Sequence, residues 1–151
     1  MNTLLVGLPG SGKSTLGKQW ADEQNRPFFD VDTLIEQAFR CSIPQFVDQF
    51  GWEAFRTEEF KTVKQLLTSN QNAIVAAGGG FFTTQEKVDF AKAHAHCIFL
   101  NTPIHTIVER LSKNNETVNR PLLNAQPLEE RLIELLNERL PFYLQAHAQQ
   151  D

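Results

Sequence analysis

The 151-residue chain carries 14 Lys and Arg against 18 Asp and Glu, a formal net charge of −4 at pH 7. That balance argues against duplex DNA or RNA as the main ligand, because phosphate-backbone affinity rests on clustered cations. The two cysteines, Cys41 and Cys97, give neither a disulfide framework nor a zinc spacing; the absence of a signal-like start or an apolar run of ~20 residues makes a soluble, cytoplasmic, single-domain protein the expectation.

An apolar segment, Thr3–Val6, predicts the first strand, and it runs directly into Gly7-Leu-Pro-Gly-Ser-Gly-Lys-Ser14. This fits G-x-x-x-x-G-K-[ST] in the setting that gives the motif meaning, between a strand and a helix. In such a loop the backbone N–H groups around Gly10, Ser11 and Gly12 turn inward to cradle a polyphosphate. Lys13 adds a point charge at the β and γ oxygens, and the Ser14 hydroxyl can ligate Mg²⁺. The helix predicted from Ser14 to about Asp22 holds Thr15 in its first turn and aims its positive dipole end at the same anion.

The second predicted strand, Pro27–Phe29, leads to Asp30 and Asp32, which flank Val31 and in extended geometry point to the same side. Phosphoryl transfer needs one carboxylate near Mg²⁺ and another to orient or deprotonate the attacking hydroxyl. A competing reading makes Asp32 the N-cap of the helix over Asp32–Phe39, and capping leaves one face of the carboxylate for chemistry.

Helical patterns follow at Gln45–Phe50 and Trp52–Ser69, the latter carrying Phe55-Arg56. The strand Ala73–Ala76 then delivers Gly78-Gly79-Gly80, whose bare backbone suits close approach of a small polar ligand or, alternatively, a flexible turn. A helix over Gln85–Ala93, a strand over Cys97–Leu100 with Cys97 as a buried small hydrophobe, and a helix over Ile104–Ser112 complete the alternation.

Lys113–Gln126 lacks a period and reads either as a flap carrying Arg120 or as a solvated connector. The last helical pattern, Leu128–Ala146, holds Arg139 and Tyr143, and Pro141 within it should kink or split the helix near Leu140. His94, His96, His105 and His147 share no ligand spacing and read as structural or exposed.

Short strands alternating with helices predict a parallel sheet covered on both faces. Right-handed crossovers put every strand's carboxyl end on one rim, which is where open α/β sheets bind ligands. Gly7, Asp30, Ala77–Gly80 and Asn101 should gather there. Arg56, Arg120 and Arg139 are the candidates for holding anions, since a guanidinium grips a carboxylate with paired hydrogen bonds or spreads over a γ-phosphate.

Taken in order, the chain resembles the shikimate kinases: G-x-x-G-x-G-K-S at Gly7–Ser14, F-x-D-x-D from Phe28 to Asp32, Ile35-Glu36, Gly51-x-x-x-Phe55-Arg56-x-x-Glu59, Gly78-Gly79-Gly80, Arg120-Pro-Leu-Leu123 and Arg139-x-Pro-x-Tyr143. The resemblance implies the nucleoside-monophosphate-kinase type of P-loop fold. Its core would span 1–31, 70–112 and 127–151, with a substrate-binding insert at 32–69 and a lid at 113–126. It also implies transfer of a phosphoryl group from ATP, with Mg²⁺, to the 3-hydroxyl of shikimate, on the route to chorismate and the aromatic amino acids.

By the same resemblance Lys13 meets the transferred phosphate, Ser14 and Asp30 partner the metal, and Asp32 holds substrate hydroxyls as the candidate base. Arg56 and Arg139 clamp the substrate carboxylate beside the backbone of Gly78, Gly79 and Gly80. Arg110 stacks on adenine, and Arg120 swings onto the phosphates.

Three departures shape the expectations. Ala77 stands where the family commonly has Ser or Thr, and Trp52 where Glu is frequent. The sequence ends at Asp151, where relatives continue into a last strand, an adenine-flanking loop and a closing helix. The expectation is therefore a monomer whose sheet lacks its last strand, with a half-built adenine pocket and Cys97–Leu100 as an open edge inviting self-association. Two other functions stay open at this point: a same-fold kinase of another hydroxy acid such as gluconate, and a kinase-like protein that binds ligand without turnover.

Overall fold

The structure, a computed structural model, describes residues 1–113 and 127–151. In chain order the elements are β1 Asn2–Val6, α1 Lys13–Gln24, β2 Phe28–Asp30, α2 Val31–Phe39, α3 Ile43–Phe50 and α4 Trp52–Ser69. They continue with β3 Ile74–Ala76, α5 Gln85–His94, β4 Ala95–Leu100, α6 Ile104–Lys113, α7 Leu128–Tyr143 and β5 Ala148–Gln150. The segment holding Arg120 and nearly all of the expected lid lies outside the described residues; Lys113 closes α6.

The strands form one sheet in the order β2-β3-β1-β4-β5, and every neighbouring pair is parallel. β1 is central and wholly buried, which explains the apolar run Leu4-Leu5-Val6 that ends it: helices cover both of its faces. Alternation along the strand splits the core in two. Leu4 and Val6 join the large cluster with Val75, Cys97, Phe99, Val63, Leu132 and Tyr143, while Leu5 joins Ile74, Leu100 and Ala21 of α1 on the other face.

Because all strands run the same way, the glycine-rich loop after β1, Asp30 ending β2, Ala77–Gly80 after β3 and Asn101 after β4 share one rim, as expected. Among the described residues no helix is long and apolar enough to cross a membrane.

Three expectations are corrected. First, the sheet does not lack its last strand. Ala148–Gln150 pairs with Ile98–Leu100 of β4, so β4 is interior and the argument for self-association through it lapses. The three residues Ala-Gln-Gln are too short and polar to signal a strand by alternation, and tertiary pairing makes it one.

Second, of the two outcomes expected at Pro141, a kink or a split, the split near Leu140 does not occur: α7 runs through Pro141 to Tyr143, and Leu144 N–H still reaches the Leu140 carbonyl at 2.9 Å. Proline is tolerated there because the helix ends within the same turn. Third, α2 starts at Val31 with Asp30, not Asp32, as its N-cap, accepting from Thr33 N–H at 3.1 Å. Asp30 and Asp32 are thus related by a strand-to-helix turn and not by extended geometry.

Candidate active site

The glycine-rich loop is braced from its own chain and from across the sheet. Gly12, the N-cap of α1, has φ 98°, a conformation an L side chain resists, and a Cβ there would stand 3.1 Å from Arg110 Nη1. The buried Lys13 ammonium donates to the carbonyls of Gly7 and Leu8, both at 2.9 Å. Thr102 Oγ1 donates to Ser11 O at 2.7 Å, and Arg110 Nη1 to Gly10 O at 3.2 Å. The segment after β4 and helix α6 therefore set the loop's shape.

Ser14 and Asp30 meet directly, the hydroxyl donating to Asp30 Oδ2. Asp30 Oδ1 is committed to the cap of α2, so the one carboxylate ties the loop helix to the end of β2. Hydroxyl and carboxylate oxygens side by side are the donor set a hard divalent cation prefers. Among the described residues no cluster of three or more His, Cys, Asp and Glu could hold a metal alone.

A cleft of about 1040 Å³ runs along the rim, lined by Gly10–Thr15, Asp30, Asp32, Glu36, Ala77 and Gly79 and by Thr102, Pro103, Thr106, Arg110, Gln150 and Asp151. Arg56 and Arg139 are not among its lining residues. They adjoin it through the turn at Gly78–Gly80.

That turn is where the acceptor-side residues converge. A Cβ on Gly78 would collide with Glu59 Oε2 and stand 2.8 Å from Asp32 Oδ1, and one on Gly80 would collide with the Arg56 guanidinium. At Gly78 and Gly80 the side chains of Glu59, Asp32 and Arg56 fill the space a Cβ would take, and at Gly79 the Pro9 ring does. Arg139 Nη1 donates to Gly79 O at 2.5 Å, and Tyr143 Oη donates to the same carbonyl at 3.0 Å. Arg56 Nη1 donates to Glu59 Oε1 at 3.0 Å, with its guanidinium 5.1 Å from the Trp52 ring centroid and 5.5 Å from that of Phe55. Trp52, a departure from the family pattern, thus supplies a cation–π face. Ala77 is buried on the cleft wall and brings no hydroxyl.

The electrostatics of this end are unusual for a core. Glu59 is 0 % exposed, and its Oε2 has no hydrogen-bond partner among the described residues. Lys87 of α5 is also buried; desolvation lowers its pKa, with Glu59 raising it and Arg56 lowering it. Burial raises the Tyr143 phenol, and Arg139 partly offsets this.

Residue reasoning left Glu59 and Tyr143 without roles, although both stand at helical spacing from a named arginine, i+3 from Arg56 and i+4 from Arg139, and that spacing was the available signal. Lys87 and Thr102 gave no sequence signal; only packing reveals them.

A strand, a G-x-x-x-x-G-K-S loop and a helix on the rim of a parallel sheet of order β2-β3-β1-β4-β5 define a P-loop kinase fold. The family model described as shikimate kinase matches residues 9–150. A shikimate kinase from Thermodesulfovibrio yellowstonii is 36% identical over 145 residues, covering 96% of this chain and 82% of that protein. A "shikimate kinase 2" from Yersinia enterocolitica is 32% identical over 139 residues, covering 92% and 79%. Among solved structures, the shikimate kinase from Acinetobacter baumannii in complex with shikimate superposes with a TM-score of 0.91 at 33% identity, covering 99% of this chain and 82% of that one. The chain belongs to the shikimate kinase family.

Proposed function

We propose that this protein transfers the γ-phosphoryl group of ATP to the 3-hydroxyl of shikimate, in a cytoplasmic setting that suits its free cysteines. The observation that carries this reading is the convergence of Asp32, Arg56 and Arg139 on the Gly78–Gly80 turn, which borders the same cleft as Lys13. Arg56 and Arg139 at this turn suit an acceptor that carries a carboxylate. The Acinetobacter relative's bound shikimate supports the same ligand.

Position and family membership support the following roles. The loop backbone at Gly10, Gly12 and Thr15 holds the β-phosphate, joined by Ser11 once its N–H leaves the Leu8 carbonyl it meets at 3.2 Å, and Lys13 exchanges its loop carbonyls for phosphate oxygens. Ser14 and Asp30 hold Mg²⁺, which when bound neutralises charge on the phosphates. Arg56 and Arg139 grip the acceptor carboxylate, and the Gly78–Gly80 backbone meets its ring hydroxyls. Asp32 orients the attacking hydroxyl and accepts its proton as the oxygen bonds to the γ-phosphorus and the bridging oxygen leaves with ADP. Arg110 covers the adenine. Arg120, outside the described residues, keeps its sequence-based role of meeting the phosphates, 113–126 that of the segment carrying it, and 32–69 that of the acceptor insert.

The test is a coupled assay of ADP release with and without shikimate. ADP that depends on shikimate supports the proposal. ADP formed only with gluconate, or shikimate binding with no ADP, replaces it with one of the two alternatives weighed from the sequence.

A further inference from the structure

All three residues of β5 are exposed, so little apolar burial holds this strand to β4. One side chain does hold it. Cys97 N–H, one residue before the Ile98–Ala148 pair, donates to Nδ1 of His147 at 3.0 Å, the imidazole standing where the next rung of the ladder would offer a carbonyl. A backbone amide can only donate, so Nδ1 is the unprotonated nitrogen and the ring proton sits on Nε2. The ring also stacks on His96 of β4, with centroids 5.2 Å apart and planes at 19°.

At the other end of β5, Asn101 N–H donates to Gln150 O at 2.8 Å. Gln150 and Asp151 line the cleft together with Pro103, Thr106 and Arg110.

We propose that His147 is a positioning residue for the nucleotide: its neutral ring pins the start of β5 to β4 and thereby sets where Gln150 and Asp151 stand in the cleft. The proposal rests on the kinase reading for what enters the cleft, but not for the pin itself. Protonation at Nδ1 turns the acceptor into a donor facing the Cys97 N–H and adds charge beside His96 of β4 and Lys92 of α5.

Desolvation is the first cause holding the His147 pKa below 6.5, and His96 and Lys92 act in the same direction. A folded pKa below the unfolded value means that the contribution is complete above 6.5 and fades as pH falls toward the folded value.

The experiment compares His147→Asn, which keeps an oxygen acceptor near the Nδ1 position without titrating, with His147→Ala, which removes the acceptor. Amide exchange at Cys97 and Asn101 is read in the ligand-free protein at about pH 8 and about pH 5.5. Protection should fall on acidification in the wild type, persist in His147→Asn and be low at both pH values in His147→Ala. Calorimetric Kd for ATP should weaken roughly two- to tenfold in His147→Ala at the higher pH, with Kd for shikimate unchanged. Acidification should weaken ATP binding more in the wild type than in His147→Asn, a comparison that cancels the titration of ATP itself.

Identical acid profiles of exchange in the wild type and His147→Asn overturn the pin. The expected exchange pattern with an ATP Kd indifferent to His147→Ala overturns the positioning role. Both effects present in a protein that makes no ADP support the inference and fault the kinase reading instead.

Discussion

Arg139 and Tyr143, one turn apart on α7, donate to the same carbonyl, that of Gly79, at 2.5 and 3.0 Å. Helix α7 thereby fixes the backbone of the glycine turn from one side while α4 crowds it from the other with Glu59 and Arg56. Tyr143→Phe removes one of two donors and leaves the carbonyl satisfied by Arg139, so a stability loss of about 0.5–1.5 kcal/mol in urea unfolding is expected. Shikimate KM should rise by less than for loss of the arginine, and a Tyr143→Phe protein with a larger KM effect than Arg139→Ala would reverse the assigned roles.

Arg139→Ala should damage acceptor binding above all. A charge-assisted hydrogen bond contributes about 1.5–3 kcal/mol, so shikimate KM should increase roughly ten- to 150-fold while ATP KM stays close to that of the parent. Lys13→Ala, by contrast, should abolish transfer, since Lys13 is the cation carried by the phosphate loop itself. Steady-state kinetics with each substrate varied in turn separates the two; an unchanged shikimate KM in Arg139→Ala removes the clamp.

Gly80→Ala places a methyl group where the Arg56 guanidinium lies. The obstacle is the far end of a flexible side chain, so the fold should accommodate it by displacing the arginine. The expected result is a raised shikimate KM together with a lowered thermal midpoint, because the displaced arginine loosens its pair with the buried Glu59. A large fall in thermal midpoint without a kinetic defect would mean that the turn, and not the arginine, gives way.

The strand-and-helix order was legible because β1, β3 and β4 carry short apolar runs that end in turn-forming segments, at Gly7, at Gly78–Gly80 and at Asn101, and the phosphate loop sits on the first of them. The acceptor end was legible only in part. Arg56, Arg139 and the three glycines stand out one by one, but their meeting depends on α4 and α7 crossing the same turn from residues 60 apart in sequence, as Arg139 and Gly79 are. β5 was illegible because Ala148–Gln150 has no alternation of its own and takes its conformation from β4. The capping role of Asp30 was hidden for a related reason: α2 begins without an intervening loop, so strand and helix patterns overlap at Val31.

Glu59→Ala tests the buried carboxylate. Removing one partner of a buried ion pair costs about 3–5 kcal/mol, because the other charge is left without compensation. Arg56 keeps some solvent contact, its side chain 23% exposed, so the lower end of that range is expected in urea unfolding. Shikimate KM should rise as well, because Arg56 loses the group that aims it. A variant as stable as the parent with unchanged KM would show that Glu59 neither compensates nor orients the arginine.

Cys97 offers a pH test of the core on which β4 rests. Desolvation in the sheet pushes its thiol up to about 12 from 9.0, with Lys92 opposing slightly. The folded pKa lies above the unfolded one, so the neutral thiol's contribution is complete below pH 9.0 and is lost as pH rises toward about 12. Across that window the unfolding free energy should fall by up to about 1.4 kcal/mol per pH unit from this group alone. Cys97→Ala removes the titration, so its stability should decline less steeply above pH 9.0, even though the smaller side chain lowers stability at neutral pH. Urea unfolding of both proteins through the alkaline range measures the difference in slope, and parallel curves would mean that the thiol ionises as readily folded as unfolded. The same burial predicts that a thiol reagent at neutral pH labels the half-buried Cys41 well before Cys97.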